Sequence, residues 1–212
     1  MNAVDPIKSL DDIRKMKEFL AKKPRNALLF SFGINSGLRI SDILALNVGD
    51  VSGKEYIEIR ELKTGKRKVF PINDKLKQEI EEFTKRMPEE QPLFYTQKGR
   101  RMERSRAYKI LNRAARAVGI TRRIGTHTLR KTFGYHCYQK YDDVVLLQKI
   151  FNHSSPQITL PLHRHRTRGS WHSVQYFLCT KVINLFSFHF CNNMNNFTIS
   201  YIIFFANFIY IL

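Results

Sequence analysis

Within Thr126-His127-Thr128-Leu129-Arg130-Lys131-Thr132-Phe133 a histidine and an arginine stand three positions apart. On a helix that spacing turns both side chains to one face. Arginine offers a planar fork of donors matched to phosphate oxygens, and an imidazole beside it adds one more donor. Gly125-Thr126 reads as a helix entry with Thr126 as N-cap, which puts the pair in the first turns, where backbone N–H groups also favour anions. Taken alone, a His-x-x-Arg more often describes a solvated basic helix face. Three further stretches change its meaning. Ser36-Gly37-Leu38-Arg39-Ile40-Ser41-Asp42 lies upstream, Leu62-Lys63-Thr64-Gly65-Lys66 between, and Phe151-Asn152-His153-Ser154-Ser155 downstream. Each has a plainer reading by itself: Arg39 and Lys63 as surface cations, Lys63 in a turn, His153 beside a helix C-terminus. Together they offer several cationic donors matched to phosphate oxygens.

In that order and at those separations the set resembles the catalytic constellation of the tyrosine recombinases, or phage-type integrases. The resemblance covers roughly Ala27 to Leu160, and the helix before it fits as well. It implies an α+β, mainly α, catalytic domain with helices around a small antiparallel three-stranded sheet. It assigns Arg39 and Arg130 to a clamp on the scissile phosphate, Lys63 to general acid catalysis, His127 to proton transfer and His153 to a phosphate oxygen. Neither a metal nor any other cofactor is implied, because the arginines do the neutralising. The activity implied is site-specific DNA recombination or integration, by cleavage and rejoining through a phosphotyrosine intermediate. Double-stranded DNA is the partner, a homotetramer on DNA the assembly, and no small-molecule substrate is expected. The DNA-clamping domain that precedes the catalytic domain in most members has no counterpart, which leaves a short form or a fragment. A type IB topoisomerase shares the chemistry. A non-catalytic DNA-binding protein that keeps the clamp is the rival from another class.

One departure bears on activity. In the family the nucleophilic tyrosine usually lies nine positions after the last histidine, and here that position is Leu162. Leucine cannot attack phosphorus. Tyr176, the next tyrosine, is out of register and only a weak substitute. The composition changes after Leu160, where Pro161-Leu162-His163-Arg164-His165-Arg166-Thr167-Arg168 begins, and further on, from Val182 to Leu212, there is no Asp, Glu, Lys, Arg, Gly or Pro. A membrane tail anchor, a core helix and a translation outside the proper frame all compete to explain this tail. Its most apolar part, Phe197 to Leu212, is shorter than the roughly 20 residues a bilayer span needs, and it lacks amphipathic order. Pro161 to Arg168 can be written CCG TTA CAT CGG CAT CGA ACA AGA; without its first base the run reads Arg-Tyr-Ile-Gly-Ile-Glu-Gln, with tyrosine in the Leu162 register. Degenerate codons permit this reading without forcing it. The expectation is a catalytic domain over 1–160, and an aberrant tail over 161–212 produced by a one-base insertion. This copy is then expected to be cleavage-defective, with impaired assembly.

Several elements must position these residues. The chain of 212 residues is long enough for one good-sized core without disulfides or metals. Its net charge of +18 calls for a polyanionic partner, with nucleic acid ahead of an anionic membrane surface. Cys137, Cys179 and Cys191 are odd in number and form no C-x-x-C pair, which fits a reducing cytoplasm. Ser9 and Asp12 mark a first helix start, and Pro24 breaks that helix. Asn26 to Asn35 lacks a polar face, the pattern of a buried central helix, with Gly37 as its C-cap. A short helix follows through Ile43, Leu44 and Leu46. From Tyr56 the period changes to two, and Tyr56–Leu62 with Arg67–Ile72 reads as a hairpin around Lys63 and Gly65. Asn73-Asp74 caps a helix to about Met87. Arg104 to Val118 is a basic helix with an apolar stripe of Tyr108, Leu111 and Ala115. A last helix runs from Asp142 to Phe151. Lys66, Arg67, Arg104, Arg106, Lys109, Arg113 and Lys131 are the candidate DNA contacts.

Overall fold

In the computed structural model residues 4–151 are described, so His153, Leu162 and Tyr176 lie outside the described residues. Helix α1 (Leu10–Ala21) starts where Ser9 Oγ accepts from Asp12 N at 3.2 Å, and buries Ile13, Met16 and Leu20 at helical spacing. Pro24 does more than break it. The proline sits in the first turn of α2 (Pro24–Ser36), where its missing N–H costs nothing. Ten of the thirteen residues of α2 are buried, so it is the central helix that its uniform apolarity predicts. Gly37 ends α2 with φ 58°, and a Cβ there would stand 2.6 Å from Phe133 Cδ1. Glycine is therefore required twice over, for the left-handed turn and for the approach of the helix that carries Phe133.

Helix α3 (Ile40–Ala45) follows at once, with Arg39 as its N-cap residue, and β1 (Tyr56–Arg60) and β2 (Arg67–Pro71) form the hairpin. The register pairs Ile57 with Phe70 and Ile59 with Lys68, antiparallel. Among the described residues the sheet has two strands rather than the expected three. Beyond it the described residues make isolated bridges, Asn47 to Pro92 and Tyr95 to Arg101. Pro92 has no N–H to extend a ladder, and Thr96 turns the chain back on Arg100.

Helix α4 (Asp74–Thr84) is capped by Asn73, whose Oδ1 accepts from Leu76 N at 2.8 Å, and stops three residues short of Met87. Helix α5 (Arg104–Ala117) buries Ala107, Leu111, Ala114 and Ala115, whereas Tyr108 is 44% exposed and does not belong to the apolar stripe. Helix α6 (Thr126–Tyr141) is capped by Gly125 rather than Thr126: the Gly125 N–H donates to Thr128 Oγ1 at 3.0 Å. Helix α7 (Val144–Phe151) starts two residues later than the sequence suggests. Asp142 is instead the left-handed cap of α6, and Asp143 accepts from Leu146 N at 2.9 Å. Helices α2 and α6 press together at Gly33, where a Cβ would lie 2.3 Å from Leu129 Cδ1. The neighbour of Leu129 on α6 is Arg130, so this contact fixes where that arginine points.

Candidate active site

Arg39 emerges from the turn that Gly37 makes between α2 and α3. Its Nη1 lies 2.8 Å from Glu61 Oε2 in an ion pair with a fully buried carboxylate, and its own side chain is only 16% exposed. Glu61 follows β1 and sits on the core face of the hairpin, in step with Ile57 and Ile59. Thr64 Oγ1 donates to Glu61 Oε2 at 2.6 Å across the turn. Burial works to raise the Glu61 pKa, but hydrogen bonds from Thr64 and Arg39 and the charges of Arg39 and Lys68 outweigh it and hold the carboxyl below its ordinary value. Asp42, in the first turn of α3, accepts from Leu62 N at 3.0 Å and so ties α3 to the hairpin.

Arg130 reaches the same place from α6. Its guanidinium donates Nη1 to Gly37 O at 2.8 Å and Nη2 to Phe151 O at 2.9 Å, and lies 4.4 Å from the Phe151 ring centre. It is 7% exposed, and burial followed by the charge of Arg39 works to lower its pKa. A guanidinium nevertheless remains charged. Two backbone carbonyls and an aromatic face thus orient a permanent cation beside the Arg39 turn.

His127 stands one turn before Arg130 and is exposed. Partial desolvation, then the charges of Arg104, Arg130, Lys131 and Lys63, hold its pKa below the ordinary histidine value. Those same charges gather the candidates: Lys63 at the exposed hairpin tip, His127 on α6 and Arg104 on α5 border one basic region. A cleft of about 550 Å³ opens there, lined by Glu103, Arg104, Tyr108, Lys109 and His127 among others. It adjoins His127 and does not cover Arg39.

The predicted DNA contacts divide. Lys66, Arg67, Arg104, Arg106, Lys109 and Arg113 are exposed, though Arg67 pairs with Glu58. Lys131 is half-buried and donates to Val4 O at 2.9 Å, which fastens the N-terminal arm to α6. Sequence reasoning missed Lys68 as a member of the site. Its amine is buried, has no hydrogen-bond partner among the described residues, and faces Arg130, Glu61, Arg39 and Asp42. The signal was present, since in a period-two run Lys68 shares its face with Phe70.

A profile of the phage integrase family matches residues 9–168. The chain belongs to this family. A probable integrase/recombinase, YoeC, of Bacillus subtilis is 51% identical over 162 residues, which cover 76% of this chain and 89% of that protein. A tyrosine recombinase of Pseudothermotoga lettingae is 31% identical over 152 residues, covering 70% of this chain but 52% of that protein. This integrase chain therefore spans most of the first relative and about half of the second. Among solved structures, the XerA recombinase superposes with a TM-score of 0.67 at 18% identity, covering 78% of this chain and 62% of that one. A λ integrase(75-356) dimer bound to a COC' core site gives 0.62 at 17% identity, covering 83% and 65%. The fold is that of the tyrosine recombinase catalytic domain. Among the described residues no helix is long and apolar enough to cross a membrane, and no cluster of candidate ligands could hold a metal ion.

Proposed function

We propose that the chain binds double-stranded DNA as a recombinase catalytic domain and that this copy does not cleave. Arg39 and Arg130 clamp one phosphate, Lys63 faces the leaving oxygen, His127 assists proton transfer, and His153 completes the set. The observation that carries this reading is the convergence of Arg39 and Arg130 on a single turn, since Arg130 donates to the carbonyl of Gly37, two residues before Arg39. Solved relatives in the family hold DNA, including XerH bound to its difH substrate and a λ integrase tetramer bound to a Holliday junction. A tetramer on DNA, impaired in this copy, and a cytoplasmic location complete the reading.

The cleavage defect rests on Leu162, in the position where the family resemblance expects tyrosine, and on the composition break that follows. The family match runs through Leu162 to residue 168 and stops before the charge-free run that begins at Val182. A nicked suicide duplex tests the defect directly. The chain as written should form no covalent 3′-phosphotyrosine adduct, and deleting one base near codon 161 of the gene should restore it. The Leu162→Tyr change alone should do less, because Pro161 still constrains the backbone around the phenol. An adduct mapped to Tyr176 would overturn the reading. So would a gene whose codons do not yield Arg-Tyr-Ile-Gly-Ile after the shift. Without a nucleophile the clamp serves occupancy of DNA, which is the non-catalytic alternative; strand exchange in the restored protein would separate a recombinase from a type IB topoisomerase.

A further inference from the structure

Lys68 stands on the core face of β2 opposite Ile59, and the residue is 8% exposed. Lysine is rarely buried unless paired, yet its Nζ has no hydrogen-bond partner among the described residues. Around it lie Arg39 from the α2–α3 turn, Asp42 from α3, Glu61 from the end of β1 and Arg130 from α6. Asp42 Oδ2 and Glu61 Oε1 are likewise buried without a hydrogen bond. Two carboxylates and two arginines balance one another. The amine is therefore the member whose charge is in excess, and the one that can give up its proton.

Resting on the proposal that a DNA phosphate docks against Arg39 and Arg130, we infer that Lys68 is a buried third cation of the clamp, taking up a proton from solvent as the phosphate arrives. In the free protein, burial first, then the charge of Arg130, with Arg39 adding to it and Glu61 and Asp42 opposing, lowers the amine to about 7. A phosphodiester brings a negative charge to the two arginines that repel the ammonium. The charged form then becomes favourable, and the neutral amine plus one proton becomes the ammonium. A trigonal-bipyramidal phosphorane carries more negative charge than the diester, so the same group would follow the reaction coordinate in a cleaving copy. Lys68 touches no DNA in this scheme and acts as a positioning residue through the field at the clamp.

The linkage has a definite sign. Below the free-state pKa the amine is already protonated, and above the bound-state pKa it stays neutral in both states. Between them affinity falls as pH rises, by up to about tenfold per pH unit for one proton. Stability moves the other way. Lys68 binds its proton more weakly in the fold than in the unfolded chain, so stability rises from about pH 7 towards the ordinary lysine range, about 10.4.

Binding of a fluorescein-labelled duplex, measured by anisotropy from about pH 6.5 to 9 and by calorimetry in two buffers of different ionisation enthalpy, tests this. The full chain should take up close to one proton on binding near neutral pH. Lys68→Met and Lys68→Arg should abolish the uptake and flatten the profile, with Lys68→Met binding more weakly at the acid end. His127→Gln should leave the uptake in place. Lys68→Met should melt no lower than the parent near pH 7, so its folding is not in doubt. Uptake that persists in Lys68→Met, that disappears in His127→Gln, or that is absent from the parent while salt-sensitive binding remains, overturns the inference alone. Absence of salt-sensitive duplex binding at every pH overturns the phosphate reading and the inference with it.

Discussion

Two basic regions meet at this site and are built in opposite ways. Beside the turn end of the hairpin Arg39, Lys68 and Arg130 are enclosed with Asp42 and Glu61, and backbone carbonyls, a threonine hydroxyl and an aromatic ring hold the orientation of the charged groups. On α5 the cations Arg106, Lys109 and Arg113 recur at three- and four-residue spacing on the face away from Ala107, Leu111 and Ala114. Among the described residues none of these three is in an ion pair, and all are exposed. The difference shows how one residue type serves two purposes. Enclosed charge is scarcely screened and its direction is fixed, as stabilisation of a developing charge requires. Exposed charge is adaptable and salt-sensitive, which suits attraction to any stretch of DNA backbone.

The sharpest way to break the buried region is Glu61→Ala. It leaves three cations facing Asp42 alone, and loss of one partner from a buried pair costs about 3–5 kcal/mol. For a domain of this size that is a melting-point drop on the order of 10 °C, measurable by calorimetry. A drop within error would mean that the cluster is not the electrostatic unit described here. Gly33→Ala should come next. The new Cβ would approach Leu129 Cδ1 to 2.3 Å and Leu129 Cβ to 2.9 Å. Overpacking of this kind costs about 1–3 kcal/mol, and α6 must shift with Arg130 and His127 on it. Chemical denaturation should show the loss, and duplex binding should weaken with it. Unchanged binding would show that the clamp tolerates movement of α6.

Much of this was legible in the sequence because local chemistry and burial agree there. Ser9, Gly37 and Asn73 cap the helices their types suggest, and α2 is buried as its uniform apolarity requires. The failures have local causes too. Gly125 displaced Thr126 as cap because Thr128 supplies the return hydrogen bond, and Asp142 fell outside α7 because it closes α6 in a left-handed conformation. Tyr108 reads as apolar by type, but it borders the cleft beside His127. Lys68 and Glu61 were hidden by charge: two ionisable residues on the inner face of a hairpin look like solvent-facing ones until the parity with Phe70 and Ile57 is taken seriously. Pairing between such groups is a tertiary fact, set where Arg39, Asp42 and Arg130 from distant parts of the chain meet the hairpin residues.

The smallest expected effect on stability belongs to the exposed region, and there the contrast is cleanest. Replacing Arg106, Lys109 and Arg113 together by glutamine changes exposed side chains that form no ion pair among the described residues, so stability should stay within about 0.5 kcal/mol of the parent. Binding should nevertheless respond. Each of the three that meets a phosphate contributes roughly 0.9 to the slope of log K against log salt, so titrations of a duplex at several salt concentrations should show a shallower slope and weaker binding for every sequence alike. Arg130→Ala makes the useful counterpart, because it removes one oriented cation. It should weaken binding only modestly, while in a frame-restored chain it should remove cleavage, since its work is on charge that develops in the transition state. If the triple variant keeps the parental slope, α5 faces away from DNA and the cations of the hairpin, Lys63 and Lys66 among them, must supply the attraction. If it instead unfolds the domain, the exposed face of α5 is held by interactions that its geometry does not reveal, and the division between the two regions fails.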